Sequence, residues 1–374
     1  MVDHQSNDDH RFMARALQLA ERGLFTTDPN PRVGCVLVKA GEIVGEGWHQ
    51  RAGEPHAEPY ALQSAGAHAN GATAYITLEP CCHHGRTPPC SDALIAAGVS
   101  RVVVAMQDPN PQVAGQGLAQ LQKAGIETYS GVLQTQAEAL NPGFIQRMRH
   151  GRPYVRGKMA MSLDGRTAMA SGESQWITGP EARQDAHRLR ARSSAILTGI
   201  GTVLADDPSL TVRLSDVSDD ALRQPLRVVL DSQLQMPVTA RLLLQPGRTL
   251  VLTVNTNAQK AAGLRDAGAE LEVLASANGR LDLMAVMDCL ARRDVNEVMV
   301  EAGATLCGAL LQAKLFDELV IYMAPLFMGD EARGLLSLPG LQKMADRVEL
   351  KIDDMRAVGR DWRIRARPVV KAID

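Results

Sequence analysis

The residues with the most chemistry to offer lie between His56 and Cys90 of a 374-residue chain. His56 stands in P-H-A-E at 55–58, and L-E-P-C-C-H-H-G-R-T-P-P-C fills 78–90. His56, Cys81 and Cys90 offer one imidazole and two separated thiolates, a donor set that leaves a tetrahedral zinc one position for water. A cation there acidifies that water. Glu58, two residues past His56 and not itself a ligand, can move the proton. The competing reading is a structural zinc with four ligands, drawing on Cys82, His83 or His84. Spacing argues against it, because structural sites more often pair their cysteines as C-x2–4-C. Glu58 could also be an ordinary first-turn carboxylate favoured by the helix dipole. Its placement beside His56 makes the proton-carrying role the better one. His83 and His84 read as pocket-lining or solvated residues; His49 and His68 have no partner pattern and receive no role.

The elements that must position these residues read as an α/β layered domain. Asp8 or Asp9 can cap a helix carrying Met13, Leu17, Ala20 and Leu24 on one stripe. P-N-P at 29–31 breaks the chain before the apolar run Val33–Val38, and K-A-G-E turns it into Ile43–Trp48 as a hairpin. Pro55 introduces a helix whose first turn carries His56 and Glu58, with Pro59 tolerated in that turn. A strand at Tyr75–Leu78 delivers Glu79, Pro80 and Cys81, and Cys90 opens a helix that Gly98 can end. Helix N-termini favour negative charge and so help keep thiolates deprotonated. A strand at Val102–Ala105, a helix near Leu118–Ala124, a strand at Ile126–Tyr129 and a helix at Leu140–Arg149 complete this half.

At H-G-R-P, 150–153, the chain reads as a junction between a domain at 1–150 and another at 151–374. A chain of this length is too long for one ordinary core. The second half restarts the rhythm, with strands near 154–160, 194–198, 226–230, 249–254, 297–301 and 318–323. S-D-V-S-D-D at 215–220 and N-T-N-A-Q-K at 255–260 read as loop and turn. V-M-V-E-A-G-A-T-L-C-G-A-L at 298–310 reads as strand, small-residue turn and helix, which points backbone N–H groups at an anion; tight packing is the other reading. The stretch 197–213 reads as a strand entering a long loop where Asp206, Asp207 and Arg213 could be solvated. S-L-D-G-R-T-A at 162–168 and G-E-S-Q-W-I-T at 172–178 read as polar loops, with Trp176 either stacking on a flat ring or packing at a core edge.

The net charge of −2 and 3% aromatic content speak against a nucleic-acid binder. No apolar run approaches the roughly 18 residues needed to span a bilayer. The polar, acidic start is unlike a signal peptide. Six cysteines in so long a chain do not make a disulfide scaffold, so a reducing cytoplasm is expected.

H-x-E followed by P-C-x-x-C marks zinc nucleobase deaminases, but eight residues rather than two separate Cys81 from Cys90. With that stretched H-x-G-R-T-P-P-C segment, and P-N-P-R-V-G-C-V at 29–36, the first half resembles the deaminase half of the bifunctional riboflavin-biosynthesis deaminase/reductase family. Cys82 stands where a small polar residue, commonly Ser, is expected. K-M-A-M-S-L-D-G-R-T-A, G-E-S-Q-W-I-T, T-V-L-A-D-D-P-S-L-T-V-R and V-E-A-G-A-T-L resemble the reductase half.

The resemblance covers nearly the whole chain, with its weakest anchoring at 215–295 and after 335. It implies a cytidine-deaminase-like zinc domain followed by a dihydrofolate-reductase-like domain that uses NADPH. The first would deaminate 2,5-diamino-6-ribosylamino-4(3H)-pyrimidinone 5′-phosphate, and the second would reduce the ribosyl unit to ribityl. Carried over by motif, Asn30 is a substrate contact of the first half. Ala160, Trp176, Thr202, Asp206 and the turn from Gly303 are cofactor contacts. Ser174, Arg190, Leu210, Arg213 and Glu301 are substrate contacts, the two arginines suiting a ribose phosphate. Such folds often self-associate, so a homo-oligomer is expected. A nucleic-acid-editing deaminase would need a basic face, and a dead regulatory protein would not need Glu58 with all three ligands.

Overall fold

Short β-branched runs between Gly and Pro turns build the first sheet, whose alternate residues serve two opposite helical layers. The computed structural model describes residues 2–82, 89–111, 113–217 and 222–369. These form two compact units, Met1–Gly151 and Arg152–Asp374. His83 and His84, with the rest of 83–88, lie outside the described residues, as do 218–221.

In chain order the first unit holds α1 (Val2–Glu21), β1 (Gly34–Lys39), β2 (Glu42–Trp48), α2 (Ala57–Ala65), β3 (Thr73–Ile76), α3 (Cys90–Ala96), β4 (Arg101–Val104), α4 (Gln116–Lys123), β5 (Glu127–Ser130), α5 (Gln134–Leu140) and α6 (Pro142–His150). The sheet order is β2-β1-β3-β4-β5. β1 runs antiparallel to both its neighbours, and β3, β4 and β5 are parallel. Successive strand residues point to opposite faces. Val36 and Val103 therefore pack with Phe12 and Met13 of α1, whereas Leu37, Ile76 and Val104 pack with Ala57 and Ala61 of α2 and Leu94 of α3.

Asp9 does not cap α1. The helix starts seven residues earlier, and Asp9 lies buried inside it, accepting two hydrogen bonds from Arg101 and one from the Tyr75 hydroxyl. An ion pair with a hydrogen-bonded partner lets a charge that would otherwise cap a helix sit in its interior. The helix expected at 140–149 is α6, and a further short helix, α5, precedes it, the two separated at Asn141. That buried side chain accepts from Arg32 N and donates to Arg32 O, tying down the P-N-P-R segment.

The second unit follows with β6 (Tyr154–Ser162), β7 (Arg166–Ala168), α7 (Pro180–Arg192), β8 (Ala195–Gly199), α8 (Ile200–Asp206), β9 (Leu226–Leu230), β10 (Thr249–Thr253), α9 (Ala258–Asp266), β11 (Glu270–Val273), β12 (Ser276–Ala277), β13 (Arg280–Leu281), α10 (Leu283–Arg292), β14 (Glu297–Val300), α11 (Ala304–Gln312), β15 (Glu318–Ala324), β16 (Arg333–Gly334), β17 (Leu350–Val358) and β18 (Asp361–Pro368). Its main sheet is ordered β11-β10-β9-β8-β14-β6-β15-β18-β17. The first seven strands are parallel, and β18 and β17 close one edge as an antiparallel hairpin. In such sheets ligands bind outside the carboxyl ends of the strands.

Four expectations change here. The stretch after β8 is helix α8 rather than open loop. Residues 258–260 begin α9, whose N-cap Asn257 accepts from Lys260 N. The 162–168 stretch is partly strand, β7 pairing with β16. The hairpin β17–β18 and the strand β11 were not expected. No helix among the described residues is long and apolar enough to cross a membrane.

Candidate active sites

His56 is the N-cap of α2 rather than a residue of its first turn. It presents its imidazole just as the chain turns helical. Close approach of α2 to the sheet depends on Gly47, where an added Cβ would sit 2.3 Å from Ala57 O and 2.5 Å from Ala61 N. Cys81 follows β3, and Cys90 is the first residue of α3. Cys81 Sγ and Cys90 Sγ lie 3.7 and 3.4 Å from His56 Nδ1, and Cys90 N donates to Cys81 Sγ at 3.3 Å. All three donor atoms fall within 4.8 Å of one another. Cys82 is not among them: its Sγ is 4.0 Å from Gln116 Oε1.

The chemistry of this donor set fits a dication. The hydrogen bond between the sulfurs, with the His56 ring adding to it, draws the Cys81 thiol down to about 4 and pushes Cys90 far up. Two adjacent thiolates need positive charge to coexist. Glu58 is 3% exposed, and its Oε2 is buried without a hydrogen-bond partner among the described residues. Burial raises the Glu58 carboxyl above its ordinary value, with His56 acting against it. An unpaired buried carboxylate oxygen is costly, and beside an imidazole and two sulfurs it suits a proton carrier.

Two residues without a sequence signal complete this site. His49 is buried; its Nδ1 lies 2.9 Å from Pro55 O and its Nε2 3.1 Å from Asn30 Nδ2. Nδ1 donates to the carbonyl, so Nε2 is left as the acceptor for the Asn30 amide. The ring meets His56 edge-on at 5.4 Å. Glu79, 3% exposed, accepts from the backbone N–H groups of Asp108, Gly115, Gly117 and Leu118. It thereby ties Asp108, after β4, to Gly115, Gly117 and Leu118 at the start of α4.

In the second unit, Glu301 follows β14 at the sheet's carboxyl edge. Arg190 of α7 grips it with two hydrogen bonds, 2.5 and 2.9 Å, and gives a third to Thr211 O. Lys158 of β6 adds an ion pair at 3.9 Å. Burial works against the Glu301 carboxylate, but Arg190 and Lys158 hold it down to about 2. Arg213 is exposed, its Nη1 3.0 Å from Thr211 Oγ1 and its backbone N 3.2 Å from His187 Nδ1. Burial, Arg190 and Arg213 lower His187 to about 4, so its ring is neutral. Leu210 is buried with φ +49, a left-handed conformation costing a Leu about 1–2 kcal/mol.

Arg190 thus bonds both Glu301 and Thr211, and Arg213 bonds the same Thr211, whereas neither Lys158 nor His187 had a role assigned from sequence. Among the described residues, Ser174, Trp176, Thr202, Asp206 and Gly303 are not hydrogen-bonded to this cluster. Ala160 lies half-buried near the end of β6, Thr202 half-buried in α8, and Asp206 exposed at that helix's last position. Ser174 is half-buried in its loop. Trp176 is 68% exposed with the Arg183 guanidinium 4.7 Å over its ring, so it is no core-edge residue. Gly303 is exposed with open space at its Cβ position, and no side chain caps α11 behind it. The free N–H groups of that helix start suit a cofactor phosphate.

Both regions have known relatives. Residues 6–106 match the cytidine and deoxycytidylate deaminase zinc-binding region, and 153–364 match the RibD C-terminal domain. Riboflavin biosynthesis protein RibD of Escherichia coli is 56% identical over 361 residues, covering 94% of this chain and 97% of that protein. The chain belongs to the RibD family. The Haemophilus influenzae RibD is 52% identical over 97% of this chain and 98% of its own. Acinetobacter baumannii RibD superposes with a TM-score of 0.92 at 45% identity, covering 98% of this chain and all of that one. The Thermotoga maritima diaminohydroxyphosphoribosylaminopyrimidine deaminase/5-amino-6-(5-phosphoribosylamino)uracil reductase superposes at 0.87 with 34% identity and the same coverage. Like its family, this chain is a bifunctional deaminase and reductase of riboflavin biosynthesis, with zinc and NADPH as cofactors.

Proposed function

We propose that residues 1–150 deaminate 2,5-diamino-6-ribosylamino-4(3H)-pyrimidinone 5′-phosphate. We propose further that residues 151–374 then reduce 5-amino-6-(5-phosphoribosylamino)uracil to its ribityl product. The observation that carries the first step is the convergence of His56, Cys81 and Cys90 beside a buried Glu58 oxygen that has no hydrogen-bond partner among the described residues. Those three side chains would hold the zinc, whose Lewis acidity brings water toward ionisation near neutral pH. Glu58 would carry one of the water's protons to the ring nitrogen and the second, from the hydroxyl left on the ring carbon, to the departing amine, which leaves as ammonia. Asn30, its amide oriented by His49, binds the pyrimidine edge.

In the reductase unit Arg190 and Arg213 bind the ribose phosphate, with Ser174, Leu210 and Glu301 as further substrate contacts. Ala160, Trp176, Thr202, Asp206 and Gly303 take NADPH, which supplies the hydride. Holding the sugar carbon against the nicotinamide is the protein's main contribution there.

The test is ammonia release from the diaminopyrimidine ribosyl phosphate, with and without NADPH, while absorbance at the nicotinamide band is followed. Ammonia without NADPH, then NADPH oxidation on its addition, is the expected result. Ammonia alone would sink the reductase assignment, and none from zinc-loaded protein would leave 56–90 a structural site.

We also propose a cytoplasmic homo-oligomer that binds neither nucleic acid nor membrane. All six cysteines are free, which suits a reducing compartment, and the net charge is −2. The self-association argument rests on β17 at the open edge of the main sheet.

A further inference from the structure

We propose that His187 is a positioning residue of the reductase, holding the extended segment 210–214 so that Arg213 is presented to the substrate's phosphate. This rests on the reading of Arg213 as a phosphate ligand.

The segment belongs to no sheet, so side chains must satisfy its backbone groups. Thr211 O accepts from Arg190 Nη1. Val212 N donates to Gln224 Oε1 at 2.9 Å and Val212 O accepts from Gln224 Nε2 at 3.2 Å. Arg213 N donates to His187 Nδ1 at 3.2 Å. Arg190 and Gln224 thus fix the strap as far as Val212, and the bond from His187 fixes the residue whose guanidinium matters. Since α7 carries both His187 and Arg190, one helix face sets the distance between the two arginines.

The bond needs a neutral ring, because an imidazolium has no acceptor. The charged groups around the ring are Arg190, Arg213 and Lys158, which disfavour protonation, and Glu301, which favours it.

The experiment compares KM and kcat for NADPH oxidation with the phosphorylated substrate and its dephosphorylated counterpart. The proteins are the full-length parent, His187→Phe, His187→Ala, His187→Asn, Arg213→Ala and His187→Phe/Arg213→Ala. Losing one neutral hydrogen bond should raise KM for the phosphorylated substrate about three- to tenfold. In His187→Phe and His187→Ala, kcat and the dephosphorylated substrate should be nearly unaffected. Asn, whose Oδ1 takes the place of Nδ1, should restore the parent value. The double variant should be no worse than Arg213→Ala. An equal rise on both substrates, full additivity with Arg213→Ala, or no rescue by Asn overturns the positioning role while leaving Arg213 its own. An Arg213→Ala variant that does not discriminate between the substrates overturns the phosphate reading and the proposal with it. Losses that only track a falling melting temperature across the variants would make His187 structural.

Discussion

Glu58 owes its role to surroundings it could not have had on a free helix. Its carboxyl is buried, raised by that burial, and left with one oxygen unpaired among the described residues. Glu58→Gln keeps the shape and removes the proton carrier, so ammonia release should fall about 10²- to 10⁴-fold. Zinc content, measured by metal analysis, should hold, because none of the three donor side chains is touched. Loss of the metal together with the activity would instead make Glu58 a structural support. The pH behaviour of His187 offers a second check. Its folded value near 4 lies below the ordinary 6.5, so between those limits the unfolded chain binds the extra proton. Stability therefore rises with pH from about 4 to about 6.5 and is flat above. Urea unfolding at pH 5 and pH 7 should show a smaller pH-dependent drop in His187→Asn than in the parent. An equal drop would mean the ring is not held neutral. The zinc donors were legible because H-x-E and the two cysteines sit within 35 residues of sequence, and the chemistry of the set is local. His49, Lys158 and His187 were not. Each is a single polar residue whose partners, Asn30 and Pro55, Glu301, and Arg213 respectively, arrive only through tertiary folding.

At the scale of elements, the metal region depends on a loop held by one carboxylate. Glu79 spends both oxygens on four backbone N–H groups, those of Asp108 and Gly115 before α4 and of Gly117 and Leu118 in its first turn. Gly117 must lack a side chain there, since a Cβ would meet Pro80 O at 2.1 Å. Glu79→Gln turns one acceptor into a donor facing two N–H groups. It should destabilise the first unit by about 1–3 kcal/mol, the cost of leaving buried donors unsatisfied. Chemical denaturation followed by Trp48, the first unit's lone tryptophan, reads this directly; an unchanged midpoint would show that the loop relaxes onto water. In the sequence Glu79 passed only as the residue before Pro80, because its partners are backbone groups, which carry no side-chain signature. Strands were far more legible. Runs such as 250–252 and 319–324 are continuous apolar stretches, as buried parallel strands are. The hairpin β17–β18 escaped because a register shift between Ile352 and Asp354 inserts a residue and breaks the period-two alternation. Helix α8 escaped because its seven residues, I-G-T-V-L-A-D, include a glycine and make only two turns.

For the molecule as a whole, the same hairpin makes self-association the expected state. Cross-strand pairing sets Ile352 opposite Ala366, Met355 opposite Ile364 and Ala357 opposite Trp362, so these residues share one face. Along β17 and at Trp362 that face is apolar yet open, with Leu350 42% exposed, Ile352 58%, Met355 50% and Trp362 43%, while Ala366 is buried and Ile364 packs against the core. Edge strands of monomers are normally blunted by charge or short length, but β17 runs nine residues and its Lys351, Asp354 and Arg356 pair opposite Arg367, Arg365 and Arg363 on the other face. A second copy is the fitting occupant. A two-fold axis brings identical patches together, and an apolar patch complements itself without needing matched charges. Charged residues such as Arg363, Arg365 and Arg367 are engaged with carboxylates of their own chain. Sedimentation velocity at micromolar concentration should therefore show a dimer or larger species. Ile352→Lys with Met355→Lys should shift it to the 40.3 kDa monomer, because burying two unpaired ammonium groups outweighs the remaining apolar contact. A parent protein already running as a monomer at that concentration would rule the interface out. A doubly substituted protein that stayed oligomeric would move the interface elsewhere on the surface.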